Sequence, residues 1–143
     1  MKRFMSLDIG DATIGIAVSD PLGITAQGIE TIRRSDLSAD LSRLGQLMQE
    51  YEVEALVAGL PKHMNGTEGT RCDVVRAFME EVQQQFPAAQ VFYWDERLST
   101  VAAGRVLLEA DVSRKKRRKV IDKMAAVYIL QGFLEHRARC TEL

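Results

Sequence analysis

Cysteine is scarce in this chain. There are two in 143 residues, Cys72 and Cys140, far apart and without metal-ligand spacing. That excludes a disulfide framework or a thiolate metal knot and fits a reduced, cytoplasmic protein. Histidine is as rare, at two, so imidazole-rich metal sites have little to draw on. No apolar run approaches the length that spans a bilayer, and the N-terminus lacks a signal-peptide block, so no membrane role is expected. There is no internal repeat and no low-complexity linker. The formal net charge of −1 gives no global preference for nucleic acid or membrane. The chain suffices for one domain with a core, residues 1–143, and not for two.

Phe4 to Asp20, FMSLDIGDATIGIAVSD, reads as two strands around a tight turn at Gly10 and Asp11. Asp8 interrupts an apolar, strand-forming run. A carboxylate there loses hydration and stays charged only with a partner such as a metal ion. The blander reading is a turn-capping aspartate. Gly10 and Gly15 leave room for backbone or ligand.

The strands are predicted at Phe4 to Ile9, Ile14 to Ser19 and Ile24 to Ile32, the last with a bulge near Gly28. A turn at Asp20-Pro21-Leu22-Gly23 joins the second and third. Leu37, Leu41, Leu44, Met48 and Tyr51 then recur at helical spacing, with Ser35 or Asp36 as cap. Glu54 to Leu60 is a buried strand parallel to the first. A loop with Asn65-Gly66 follows, then a helix capped by Thr67, running to Phe86 and stopped by Pro87. Gln90 to Trp94 is the fifth strand. A helix capped by Ser99, the basic run, and a last helix from about Val120 to Arg137 complete the order. Three antiparallel strands, then parallel strands separated by helices, predict an α/β domain with a mixed five-stranded sheet flanked by helices.

Ligands of such sheets bind beyond the carboxyl ends of the strands. Asp8 lies near the end of the first strand and Asp95-Glu96 at the end of the fifth. Alternation sends Asp95 and Glu96 to opposite faces, so one of them joins Asp8. Asp122, on the first turns of the last helix, is the third acid. Taken singly, Asp122 also fits the helix dipole or a pair with Arg118, and Glu96 a pair with Arg97. Taken together, three carboxylates suit a hard cation, Mg²⁺ or Mn²⁺, which favours oxygen ligands. Paired ions of this kind activate water and stabilise the leaving oxygen in phosphodiester hydrolysis. Just before Asp122 come Arg114, Lys115, Lys116, Arg117, Arg118 and Lys119. Such a run is usually a solvated face. Here it also suits a phosphate backbone, held without regard to sequence. The loops at Gly59-Leu60-Pro61 and Asn65-Gly66-Thr67 offer backbone N–H groups to a phosphate, or are ordinary strand-to-helix loops. His63 lies near the site edge, His136 on the surface.

LDIGDATIGIAVSD, VAGLPKHMNGTEG, DERLST and RKKRRKVIDKMAAVYILQ together resemble, in order, the signature blocks of the YqgF family. Its bacterial members are described as pre-16S ribosomal RNA nucleases and as Holliday junction resolvases. The resemblance covers essentially the whole chain. It implies an RNase H-like fold and presumed metal-binding acids at Asp8, Glu96 and Asp122. It implies a Mg²⁺- or Mn²⁺-dependent nuclease acting on the 5′ flank of precursor 16S ribosomal RNA in the cytoplasm, or on branched DNA, as monomer or homodimer. The family often carries a basic residue before the Ile-Gly of the first block, where this chain has Ala12-Thr13. A competing reading is a nucleic-acid binding module without catalysis. An actin- or hexokinase-like ATP site would need a second phosphate loop and a second domain.

Overall fold

The computed structural model describes the backbone of residues 3–98 and 114–141, and within the last helix the side chains of 124–139. Strands β1 (Arg3–Ile9), β2 (Thr13–Ser19), β3 (Ala26–Arg33), β4 (Val53–Leu60) and β5 (Gln90–Asp95) form one sheet in the order β3-β2-β1-β4-β5. β1 pairs antiparallel with β2, and β2 with β3, while β1 with β4 and β4 with β5 are parallel. This is the mixed sheet that the element order predicts. Helices α1 (Leu37–Glu50), α2 (Thr70–Gln85) and α3 (Arg114–Thr141) complete the described elements, with a 3-10 turn at Glu96–Leu98. No helix among the described residues is long and apolar enough to cross a membrane.

Strand alternation divides the core in two. Met5, Leu7 and Ile9 of β1 and Leu56, Ala58 and Leu60 of β4 bury their side chains with Leu44 of α1 and Val75 and Phe78 of α2. Phe4, Ala55 and Val57 face the other way, onto Ala125, Ala126, Ile129 and Leu130 of α3. β4 is buried on both faces, which explains its unbroken apolar run.

Several boundaries differ from expectation. β3 starts at Ala26, because Asp20 captures the two residues before it: Ile24 N donates to Asp20 Oδ1 at 2.8 Å and Thr25 Oγ1 to Oδ2 at 3.0 Å. The β2–β3 register jumps between Ile16 and Ala17, leaving Ile29 extra beside Gly28. Of the two candidate caps for α1, Asp36 is used, its Oδ1 accepting from Ala39 N at 2.9 Å. Thr67 does not cap α2. Its hydroxyl donates to Asn65 Oδ1 at 2.6 Å, and the N-cap is Gly69. α3 begins at Arg114 and not near Val120, so the whole basic run lies on helical backbone. The helix expected from Ser99 lies outside the described residues.

Candidate active site

Asp8 is the third residue, after Phe4 and Ser6, on the α3 side of β1. It stands opposite Gly15 of β2 in the antiparallel ladder, a partner with no side chain to crowd it. On its other flank the parallel register Leu7↔Ala58 brings Gly59 of β4 alongside. Gly59 in turn pairs with Trp94 of β5, two residues before Glu96.

Glu96 reaches the same point from the far side. An added Cβ at Gly59 would lie 3.2 Å from Glu96 Cγ and 3.1 Å from Ile129 Cγ1. The stem of Glu96 thus folds over Gly59 on the face that α3 covers. Asp8 and Glu96 flank a single glycine at the carboxyl end of the parallel strands, the position at which open α/β sheets bind ligands. Glu96 follows the strand in a 3-10 turn, yet keeps the face that alternation assigns it.

Asp95 takes the opposite face. Its carboxylate accepts from Arg97 Nε at 3.1 Å to each oxygen, from Arg97 Nη2 at 2.6 Å and from Arg97 N at 3.0 Å. The Arg97 hydrogen bonds hold the Asp95 carboxyl below its ordinary range, against a smaller opposing effect of burial. The partner of Arg97 is therefore Asp95, and the sequence alternative of a Glu96–Arg97 pair is not the one adopted.

α3 runs antiparallel to β1 above this face. Ser6 Oγ donates to Ala126 O at 2.6 Å, Phe4 stacks on Phe133 with ring centroids 5.4 Å apart, and the Arg137 guanidinium sits 5.0 Å from the Phe4 ring centroid. Following β1 towards Asp8 therefore follows α3 towards its N-terminus. Asp122 lies on that helical backbone, one turn before Ala126. Its side chain lies outside the described residues, as do those of Arg114, Lys115, Lys116, Arg117, Arg118 and Lys119. Among the described residues, no three His, Cys, Asp or Glu side chains form a group able to hold a metal.

Two arginines that sequence reasoning passed over brace the β1–β2 turn. Arg34 Nη1 donates to Gly10 O at 2.8 Å, and Arg71 Nη1 to Asp11 Oδ2 at 2.7 Å. Cations from β3's end and from α2 thus border the turn that lacks its own basic residue at Ala12-Thr13. Arg71 sits in the first turn of α2 and Arg34 just past β3, positions whose relation to the turn no local pattern reveals. His63 lies on the rim, its ring against Gly69, where a side chain would collide with it. His136 stacks on Trp94 at 5.8 Å, towards the far end of α3. Cys72 is buried, and desolvation raises its thiol pKa, which suits packing and not nucleophilic chemistry. A concavity of about 640 Å³ beside Met48, Val53, Phe86 and Ala89 opens at the opposite end of β4, away from the carboxylates.

A family model, RuvX, described as Holliday junction resolvase, matches residues 2–136. A protein of Desulforamulus reducens named "Putative pre-16S rRNA nuclease" is 56% identical over 137 residues, covering 96% of this chain and 99% of the relative. One of the same name from Moorella thermoacetica is 58% identical over 133 residues, covering 93% and 94%. Among solved structures, Thermus thermophilus RuvC in complex with a Holliday junction superposes with a TM-score of 0.58 at 11% identity, covering 96% of both chains. The yeast mitochondrial Holliday junction resolvase Ydc2 gives 0.56 at 9% identity, covering 99% of this chain and 81% of that one. These two likenesses bear on the fold, which is RNase H-like.

Proposed function

The chain belongs to the RuvX family of nucleases, and from that premise we propose that it trims the 5′ flank of precursor 16S ribosomal RNA in the cytoplasm, with Mg²⁺ or Mn²⁺ held by Asp8, Glu96 and Asp122. The observation that carries the reading is the convergence of Asp8 and Glu96 on Gly59, under the end of α3 on which Asp122 lies. The choice of RNA follows the name of relatives more than 50% identical, against structural likeness to resolvases at about a tenth.

The donor set fits a hard divalent cation: carboxylate oxygens, no thiolate, and the imidazole of His63 turned against Gly69. When bound, such an ion supplies Lewis acidity and offsets charge on the attacked phosphate. The residues of the chain do the rest. Asp8, fixed by the β1–β2 and β1–β4 ladders, orients the attacking water. Glu96, its stem held against Gly59, faces it across the same glycine. The six basic residues from Arg114 to Lys119 hold the flanking phosphates. The first of them lie in the opening turn of α3, where partial positive charge makes each cation unfavourable by about 0.3–1 kcal/mol. A polyanion laid across that end removes the penalty and gains from counterion release.

A second reading, cleavage of four-way DNA junctions, is favoured by the family description and by the RuvC-like fold. Symmetric cutting would then need a homodimer, whereas trimming one RNA strand needs a single site. The deciding experiment is depletion of the protein, mapping of 16S precursor 5′ ends, and complementation with Asp8→Asn. Precursors should accumulate, and the variant should fail to rescue while still folding and binding RNA. Full rescue by Asp8→Asn would sink the catalytic reading and leave a binding module. Normal 5′ ends with lost junction cleavage would move the substrate to DNA.

A further inference from the structure

We infer that Asp95 and Arg97 are positioning residues for Glu96: their fork fastens the turn that carries Glu96 to the loop following β4. The inference rests on the nuclease reading above and assigns a role to two residues outside the acid set.

Three observations carry it. The first is the span of the fork. Arg97 grips both oxygens of Asp95 and also donates from Nη1 to Met64 O at 3.3 Å, so one guanidinium joins the end of β5 to the β4–α2 loop. The second is the firmness of that loop. His63 N donates to Thr67 O and Gly66 N to His63 O, each at 2.9 Å, while Asn65 Oδ1 accepts from both Thr67 N and Thr67 Oγ1. Gly66 holds φ at +88°, and an added Cβ there would come within 3.4 Å of Arg97 Nη1, so the loop is shaped to seat the guanidinium.

The third observation is what lies between. Glu96 is flanked in sequence by the two fork residues, in a 3-10 turn of three residues that has few internal hydrogen bonds to define it. Leu98, the last described residue of the turn, is 66% exposed and contributes little packing. The fork thus constrains the backbone on both sides of the Glu96 carboxylate. The Asp95 and Arg97 side chains are 15% and 35% exposed, and ion pairs this close to solvent add little to global stability. A bidentate guanidinium–carboxylate pair does impose strict geometry. Residues that orient a metal-binding carboxylate show their loss in metal affinity and turnover.

The test compares wild type with Asp95→Asn and Arg97→Lys. Lysine keeps the charge but cannot grip both Asp95 oxygens and Met64 O together. Glu30→Gln is the control, since it breaks a second guanidinium–carboxylate fork, Glu30–Arg43, between β3 and α1. The readouts are kcat and KM on a precursor-RNA oligonucleotide, Mn²⁺ affinity by calorimetry without substrate, Tm, and amide hydrogen exchange over residues 63–67 and 96–98. Asp95→Asn should lower kcat and Mn²⁺ affinity by about 10- to 100-fold, with KM nearly unchanged, a Tm loss comparable to that of Glu30→Gln, and faster exchange in both segments. Arg97→Lys should follow in the same direction, and Glu30→Gln should match wild type in kcat, KM, Mn²⁺ affinity and exchange over both segments while losing some Tm. Wild-type kcat, Mn²⁺ affinity and exchange in Asp95→Asn would overturn the inference, as would equal losses of kcat and Mn²⁺ affinity in Glu30→Gln. Should Asp95→Asn fail to fold, Arg97→Lys carries the same readouts. If wild type neither binds Mn²⁺ nor cuts RNA, the nuclease reading itself has failed, and unchanged exchange in the variants would separately refute the fastening.

Discussion

Replacing Gly59 with alanine should separate stability from catalysis. The new Cβ would stand 2.5 Å from Ile129 Cδ1, 3.1 Å from its Cγ1 and 3.2 Å from Glu96 Cγ. Comfortable carbon contacts begin near 3.5 Å, so the worst overlap is about 1 Å. Ile129 is fully buried, and its methyl has no solvent to move into. Overpacking of this kind costs about 1–3 kcal/mol. Removing a glycine from a strand returns about 0.5–1 kcal/mol of chain entropy. A net loss of about 1–2 kcal/mol follows, or roughly 3–8 °C in Tm. Ile129→Val deletes Cδ1, the atom in closest conflict, and alone should cost about 0.5–1.5 kcal/mol. In the double variant Gly59→Ala/Ile129→Val the two losses should not add, with a coupling of about 1 kcal/mol in favour of the pair. Turnover should behave differently. The contact with Glu96 Cγ survives in the double variant, so kcat should stay down about 10- to 100-fold. Urea unfolding and single-turnover cleavage measure the two quantities side by side. Additive stabilities, within about 0.5 kcal/mol, or a kcat that recovers with Ile129→Val, would refute the account of Glu96 seated on Gly59.

Ser6→Ala removes the buried hydrogen bond to Ala126 O and should cost about 1 kcal/mol, read as a lower urea midpoint. Glu30→Gln should lower Tm at neutral pH, because Arg43 Nε and Nη2 grip the Glu30 carboxylate at 2.8 and 2.5 Å and hold its pKa below the ordinary 4.5. A depressed carboxylate pKa stabilises the fold above the unfolded value and loses that effect as pH falls through the folded one. The Tm of wild type and Glu30→Gln should therefore converge in acid, and a constant gap down to pH 3 would contradict the pairing.

Periodicity made the sheet and its order legible, because each face of each strand buries against a different layer. Boundaries were less so. Thr67 before an apolar period is a sound capping signal, but Asn65 two residues earlier competes for its hydroxyl. The start of α3 was hidden because six consecutive cations carry no apolar period. Within the candidate site, Asp8 stands out in the sequence by its apolar surroundings. Choosing Glu96 over Asp95 by pattern alone was ambiguous, since the strand ends between them. Gly59 and the Asp95–Arg97 fork were out of reach, because their meaning lies in what neighbouring strands and loops bring to them.

The bond from Ser6 to Ala126 joins residues 120 positions apart. A polypeptide emerging from the ribosome has all five strands in hand well before it can form that bond. Until the final helix docks, Phe4, Ala17, Ala55, Val57 and Trp94 line a bare greasy surface. The sheet's second apolar face is therefore covered late in synthesis, and chains truncated before α3 would leave it bare and prone to stick.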